Sequence, residues 1–525
     1  MDKKRKDVGT SLKLIARASL IIFIGVFISK ILLYLYRIII ARYFGPEVYG
    51  LFSLALMMSG LFVAFTSFGI PEGVLRYIAL FRGKNQNNKM IYVFNFAKKI
   101  LFIPSLLSAA ILFIFSDFIA TSIFNNAELS LFLKISSLVI PAQIFSSVFL
   151  STLRALERIE WYSFILNVFQ NIIKVLSLFL LILIGLKSNA VILSYFFGIL
   201  SMLLLSFYLS EYYMSKLQKK SQLNKKLRKS ISREIISYSW PLLFLSIITT
   251  LFIWTDTFII GYFLDAREVG IYNAAVPIAL LMLVIPDLFM KLFFPLITVE
   301  YSRKKFDNIK ELSKQVGKWI FLLNIPLFLI IIIFPGALIN ILFGQEYLGA
   351  ENALRILAIG NFAASFMSTV PYNLISMIGK SKLTLINTIF FVILNLILNL
   401  FLVPKYGLNG AAIATTISYL ALSAVYIIQT KYLVSFIPLR RRMIKIALVS
   451  LVSTALLIYV KKFFIINLFN LIILGIFFLL SYIALILLTG CLDKNDMLVL
   501  RAIKNKLNYN ITAEKKRFNR LFEQE

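Results

Sequence analysis

Long apolar runs separated by short polar segments set the rhythm of this chain. Crossing a bilayer as a helix takes about 20 apolar residues. Fourteen runs qualify: residues 18–41, 49–80, 91–115, 129–152, 163–185 and 190–213, then 236–263, 270–299, 317–339, 353–378, 384–403 and 410–433, and a final pair at 443–460 and 466–489. The runs are continuously apolar and do not alternate, unlike the strands of an outer-membrane barrel. The pattern predicts an all-α integral membrane protein of about 14 transmembrane helices.

Within that pattern a connector repeats. "ARYFGPEVYGLFSLA" (residues 41–55) and "IGYFLDAREVGIYNAA" (residues 260–275) each leave one run and enter the next. Tyr43 aligns with Tyr262 and Gly50 with Gly270, at offsets that differ by a single position. "RALERIEWYSFILNVFQN" from Arg154 and "MIGKSKLTLINTIFFVILN" from Met377 both join a fourth run to a fifth. "LKSNAVILSYFFG" and "LNGAAIATTISYL" both open a sixth. The chain reads as a duplicated six-helix unit followed by two C-terminal helices. Six is even, so both copies point the same way, a parallel repeat about an axis along the membrane normal. The expected organisation is an N-lobe (1–215), a basic linker (216–234), a C-lobe (235–433), two further helices (434–490) and a basic tail (491–525), with a central cavity between the lobes.

Composition agrees with the class. Of 525 residues, 60% are hydrophobic and only 15% charged, with a mean hydropathy of +0.87. A soluble chain holds about 45–50% apolar and about 25% charged residues. The absence of histidine removes the commonest metal ligand and general base. The single cysteine, Cys491, rules out an internal disulfide or a cysteine metal cluster. No glycine-rich phosphate loop is present. No cofactor or metal is expected, and no enzymatic step.

The net charge of +31 is unevenly placed. Residues 216–233 hold eight Lys or Arg, 301–318 hold six, 440–445 four and 501–520 seven. The alternate connectors, 43–48, 116–128, 186–189, 264–269, 340–352, 404–409 and 461–465, together hold only Lys187, Arg267, Lys405, Lys461 and Lys462. The positive-inside rule then puts both termini in the cytoplasm, in a plasma-membrane protein whose basic segments meet anionic membrane lipids and not nucleic acid. The basic N-terminal segment ends without a small-residue cleavage site and reads as a cytoplasmic tail.

Charges inside spans are costly, about 2.5–3.5 kcal/mol each at the bilayer centre, and usually face the bundle interior. Lys30 lies mid-span in the first run, and Arg37 follows two turns later on the same face. Both suit a phosphate head group, Arg through bidentate hydrogen bonds. Asp256, in "LFIWTDTFII", aligns with Arg37 at the same offset that joins Tyr43 to Tyr262. It is expected to oppose Arg37 across the axis, as a gating ion pair or a cation-coupling site. Glu72 and Arg76, and Asp287 and Lys291, are each four apart with the acid first, the favourable order for a helical ion pair. Arg76 is a further candidate for substrate, and Glu72, Asp287 and Lys291 for gating or coupling. The two Ile-Pro motifs beside these pairs stand at a shorter offset, which sets them outside the repeat.

"ARYFGPEVYGLFSLA", "GIPEGVLRYIA", "WTDTFIIGYF" with "VGIYNAA", and "LVPKYGLNGAAIATTISY" occur in an order that resembles the polysaccharide and oligosaccharide flippases of the MOP (MATE-like) exporter superfamily, over nearly the whole chain. The resemblance implies a flippase that turns a polyprenyl-phosphate-linked oligosaccharide from the inner to the outer leaflet by alternating access. It also implies glycosyltransferases or a polymerase of the same pathway as partners. Two alternatives stay open. A cation-coupled drug or metabolite antiporter of the same superfamily calls for a more acidic pocket than the first span offers. A membrane-embedded glycan polymerase calls for large extramembrane loops with clustered carboxylates.

Overall fold

In lipid every backbone amide must find a partner within its own segment, so apolar runs of this length fold as helices. The computed structural model describes residues 2–217, 223–465, 467–492 and 496, with side chains described from Gly25 onward except at 292, 294–296 and 299. Every long regular element among them is helical. The first half comprises α1 (Asp2–Thr66), α2 (Ile70–Gly83), α3 (Asn87–Ile114), the single turn α4 (Ser116–Phe118), α5 (Leu129–Ala155), α6 (Ile159–Ser163), α7 (Gln170–Leu183) and α8 (Asn189–Ser215). The second comprises α9 (Lys225–Phe263), α10 (Ala266–Leu280), α11 (Val284–Ser302), α12 (Phe306–Ile333), α13 (Pro335–Leu342), α14 (Glu351–Met367), α15 (Thr369–Met377) and α16 (Ser381–Val434). The helices α17 (Arg442–Lys461) and α18 (Leu468–Leu488) close the described chain.

Twelve helices among the described residues are long and apolar enough to span a membrane. Two of them are folded over. Gly45 interrupts α1 with φ 79°, and Gly407 interrupts α16 with φ 57°, a left-handed region that glycine enters without a β-carbon clash. On a straight helix Tyr36 and Phe52 would stand about 24 Å apart, yet their rings meet edge to face at 5.9 Å. Likewise Asn395 donates to Thr415 at 3.0 Å and Asn387 to Gln429 at 2.7 Å. The sequence-based count of about fourteen treats each of these hairpins as two spans.

The lobes meet along small residues. Gly50 on α1 and Gly270 on α10 are packed so closely that a β-carbon on either would collide with a carbonyl oxygen of the other helix, Ala266 for Gly50 and Pro46 for Gly270. Small residues at a helix crossing let backbones approach, the usual device where lipid offers no hydrophobic drive. This is why the connector is written twice: both copies end in the glycine that the lobe contact needs. The last two helices pack on the C-lobe through Leu474, Phe478 and Tyr482 against Phe321, Leu322 and Ile325, with the Tyr482 hydroxyl donating to the Leu322 carbonyl at 2.9 Å.

The C-terminal part of the basic segment, from Lys225, is helical as the start of α9, and Asn224 caps it by accepting from the Lys226 amide. The two Ile-Pro motifs, excluded from the repeat by spacing, both open a helix after a break: α2 follows Gly69 at φ 63°, and α11 follows a 3-10 turn at Leu281–Leu283. The basic tail lies outside the described residues apart from Cys491, Leu492 and Asp496.

Candidate functional site

The seam between the lobes is built from tyrosines. On α1, the Tyr34 hydroxyl donates to the Pro277 carbonyl of α10, and Tyr49 donates to the Asn273 carbonyl at 3.2 Å. At the end that holds the repeated connectors, Tyr347 donates to the Ala41 carbonyl at 3.1 Å. There Arg42 donates to the carbonyls of Asn340, Ile341 and Leu342, the C-terminus of α13. A cation on a helix C-terminus satisfies orphan carbonyls and the negative end of the helix dipole together. The lobes are therefore latched at the connector end.

At the opposite, basic end the contact runs from α2 to α9. Gly69 and Gly73 lie against the Ser239 turn, Tyr77 donates to the Glu234 carbonyl at 3.1 Å, and Arg76 lies over the Tyr238 ring at 4.2 Å. This corrects one expectation. Glu72 and Arg76 are both exposed and make no ion pair among the described residues, because Arg76 stacks across the seam and does not fold back along its own helix. Asp287 and Lys291, also exposed, do not pair with each other either. They instead line a cavity of about 620 Å³ with Thr249, Tyr372, Asn373 and Tyr419.

Lys30 and Arg37 of the first span are joined in the N-lobe by a third cation. Lys30 is exposed and sits one turn before Tyr34, on the face that reaches α10. Arg37 lies beside the Tyr34, Tyr49 and Tyr195 side chains. Within electrostatic reach of Arg37, where α7 packs on α1, stands Lys174, which the sequence reading passed over. Lys174 is only 6% exposed. Its ammonium donates to Gln170 at 3.3 Å and lies 4.7 Å from the Tyr195 ring centre. Its stem runs over Gly198, where a β-carbon would displace it. The signal was available: Lys174 is the one charge in "NVFQNIIKVLSLFLLILIG". A π-helical turn at Phe164–Phe169 precedes it, and Asn171 just after that turn donates to Ser29 of α1 at 3.2 Å. Among the described residues none of Lys30, Arg37 and Lys174 has a carboxylate within ion-pair distance.

Asp256 departs from expectation. It does not meet Arg37, and its partners lie in its own lobe: Tyr272 and Thr415 donate their hydroxyls, the latter at 2.7 Å, and Asn399 donates its amide at 2.9 Å. Its neighbours Asn395 and Asn399 are turned so that their amide oxygens are buried without a hydrogen-bond donor among the described residues. The acid thus sits among neutral hydrogen-bond donors inside the C-lobe. The physical reason is proximity: α10 and α16 supply polar groups within bonding distance, while Arg37 is held among tyrosines on the other side of the seam.

Comparison with known proteins agrees with this architecture. Residues 15–299 match the Polysaccharide biosynthesis protein family, and residues 241–401 match the MatE family. A Shigella flexneri protein named for O-antigen transport is 25% identical over 386 residues, 72% of this chain and 88% of its own length. A Haloferax volcanii protein named as a low-salt glycan biosynthesis flippase is 30% identical over 299 residues, 57% of this chain and 59% of its own. A solved structure of the lipid II flippase MurJ in an inward-closed conformation superposes with a TM-score of 0.70 at 18% identity, covering 89% of this chain and 98% of that one. At that identity the likeness establishes the fold, two lobes of membrane-spanning helices.

Proposed function

This chain belongs to the Polysaccharide biosynthesis protein family, and on that premise we propose that it is a flippase that carries a lipid-linked oligosaccharide from the inner to the outer leaflet of the plasma membrane by alternating access, for cell-surface glycan assembly. The observation that carries the reading is the acid-free cation group of the N-lobe: Arg37 within electrostatic reach of buried Lys174, with Lys30 two turns from Arg37 on the same helix. Two cations held together without a carboxylate repel each other in a low-dielectric site. An anionic phosphate or diphosphate relieves that repulsion, and the sugars it carries find hydrogen-bond partners among the tyrosines. A drug antiporter selecting cations gains nothing from such a wall.

The setting of Asp256 supports a role in energy coupling within the same cycle. A buried carboxylate that meets only neutral donors and no cation of the protein among the described residues suits a proton or a small cation as its counter-charge. This keeps one element of the antiporter alternative, consistent with the MatE match over residues 241–401. The basic end faces the cytoplasm in this reading, so the connector-end latch closes the outer side.

The test is complementation of glycan display in a strain lacking its own flippase, with membrane abundance checked by blot. Lys30→Glu is expected to insert normally, since a carboxylate costs about as much as an ammonium at that depth, and to abolish display. Lys30→Arg is expected to retain part of it. Full display by the Lys30→Glu protein at normal abundance removes Lys30 from the site.

A further inference from the structure

A second cavity lies at the basic end, away from the lobe seam. The loop from α16 to α17 is seated on α12. Its Pro438 carbonyl covers Gly317, where a β-carbon would stand 2.6 Å from that oxygen. Arg440 pairs with Glu311. Ser435 adopts φ 61° and turns the chain out of α16. Loop and helices border an open cavity of about 720 Å³. Lys310 and Lys314 enter its wall from α12, Lys431 from the last turn of α16 and Arg441 from the loop. None of these four has a carboxylate within ion-pair distance among the described residues. The only acid in the wall among the described residues, Glu311, is the partner of Arg440.

We propose that this cavity binds the phosphate head group of an anionic phospholipid in the leaflet at the basic end. The inference goes beyond the transport reading and does not depend on it. Four convergent cations with no acid of their own call for an anion, and clusters of this kind hold acidic lipid head groups. The rim identifies the anion as a lipid. Tyr432 is 81% exposed and Ile444 66%, with Leu433 and Leu448 also exposed beside them. These apolar side chains, next along α16 and α17 from Lys431 and Arg441, offer acyl chains a surface close to the charges. The chain's own C-terminal segment is a poor occupant, since residues 497–525 carry seven Lys or Arg against three Glu. A lipid bound here bridges α12, α16 and α17, and so fastens the final helix pair to the C-lobe.

The experiment is native mass spectrometry of the full chain in detergent, titrated with dioleoylphosphatidylglycerol or dioleoylphosphatidylcholine. The wild-type protein is expected to retain one phosphatidylglycerol, and Lys314→Gln/Arg441→Gln to bind it about thirty-fold more weakly, five- to six-fold per charge removed. Phosphatidylcholine retention and the thermal midpoint in phosphatidylcholine are expected to be unchanged. If that variant loses thermal stability, Lys310→Gln/Lys431→Gln, at two exposed positions, makes the same test. Equal phosphatidylglycerol binding by wild type and variants overturns the proposal. So does inorganic pyrophosphate binding that phosphatidylglycerol fails to displace, which would assign the cavity to a soluble anion.

Discussion

Gly50 and Gly270, from opposite halves of the chain, pack backbone to backbone, so that a β-carbon on either would stand 3.0 Å from the nitrogen of the other. They are equivalent residues of the repeated unit, and they meet where the repeat units meet. Around them Tyr49, Tyr347 and Arg42 tie one lobe to the other at the connector end. A contact through backbone alone has no side chains to rearrange, so it separates and re-forms without rotamer exchange, a suitable place for two lobes to part.

Widening this contact is expected to open the connector end. Gly270→Leu places a side chain where the Pro46 carbonyl lies, and overpacking of this kind costs about 1–3 kcal/mol. In a Cys491→Ser background with Ser53→Cys as reporter, 5% exposed in the closed seam, an impermeant thiol reagent added outside cells should label roughly tenfold faster once Gly270 is replaced. Unchanged labelling would show that the seam does not gate access.

Lys174 separates a functional cation from a structural one. Replacing a buried charge by an apolar side chain of similar shape is often neutral or stabilising. Lys174→Met should therefore keep or raise the thermal midpoint while glycan display falls by roughly tenfold or more, the loss expected when about 1.4 kcal/mol of substrate interaction is removed. Display at the wild-type level with a raised midpoint would make Lys174 a packing residue only.

Asp256→Asn keeps the side-chain shape and one of the two acceptor oxygens and removes the charge. Flux measured in vesicles should lose its response to an imposed sodium or proton gradient, with residual gradient-independent flux remaining. A variant that responds to the gradient as the wild-type protein does would place coupling elsewhere.

The last described residue bears on the final helix pair. Asp496 accepts from Lys318 and Gln315 of α12, and both Lys318 and Asp496 are fully buried. Removing one member of a buried pair typically costs about 3–5 kcal/mol, while replacing both by apolar residues is near neutral. Lys318→Met should lower the thermal midpoint in detergent well below that of Lys318→Met/Asp496→Leu. Equal midpoints would show that the two charges are not coupled.

Much of this protein is determined locally. Lipid satisfies no backbone amide, so each apolar run had to become a helix, and the helices, the duplication and the cationic first span with Lys30 and Arg37 were legible from residue order alone. The fold-back points were legible too, since Gly45 and Gly407 sit in the quoted connector motifs. What the tertiary structure decided is which groups share a site. The i, i+4 spacing of Glu72 and Arg76 permits an ion pair, but Tyr238, on α9 of the other lobe, offers Arg76 an aromatic face instead. The repeat offset makes Arg37 and Asp256 equivalent, yet equivalence within two lobes is not contact between them. Asp256 took the nearest neutral donors, Tyr272 from α10 and Asn399 and Thr415 from α16. Lys174 joined Arg37 because α7 packs against α1, a pairing that sequence spacing does not encode. Backbone hydrogen bonding is local and so is written in the order of residues, whereas the partner of a buried charge is whatever the packing of distant helices brings within a few ångströms.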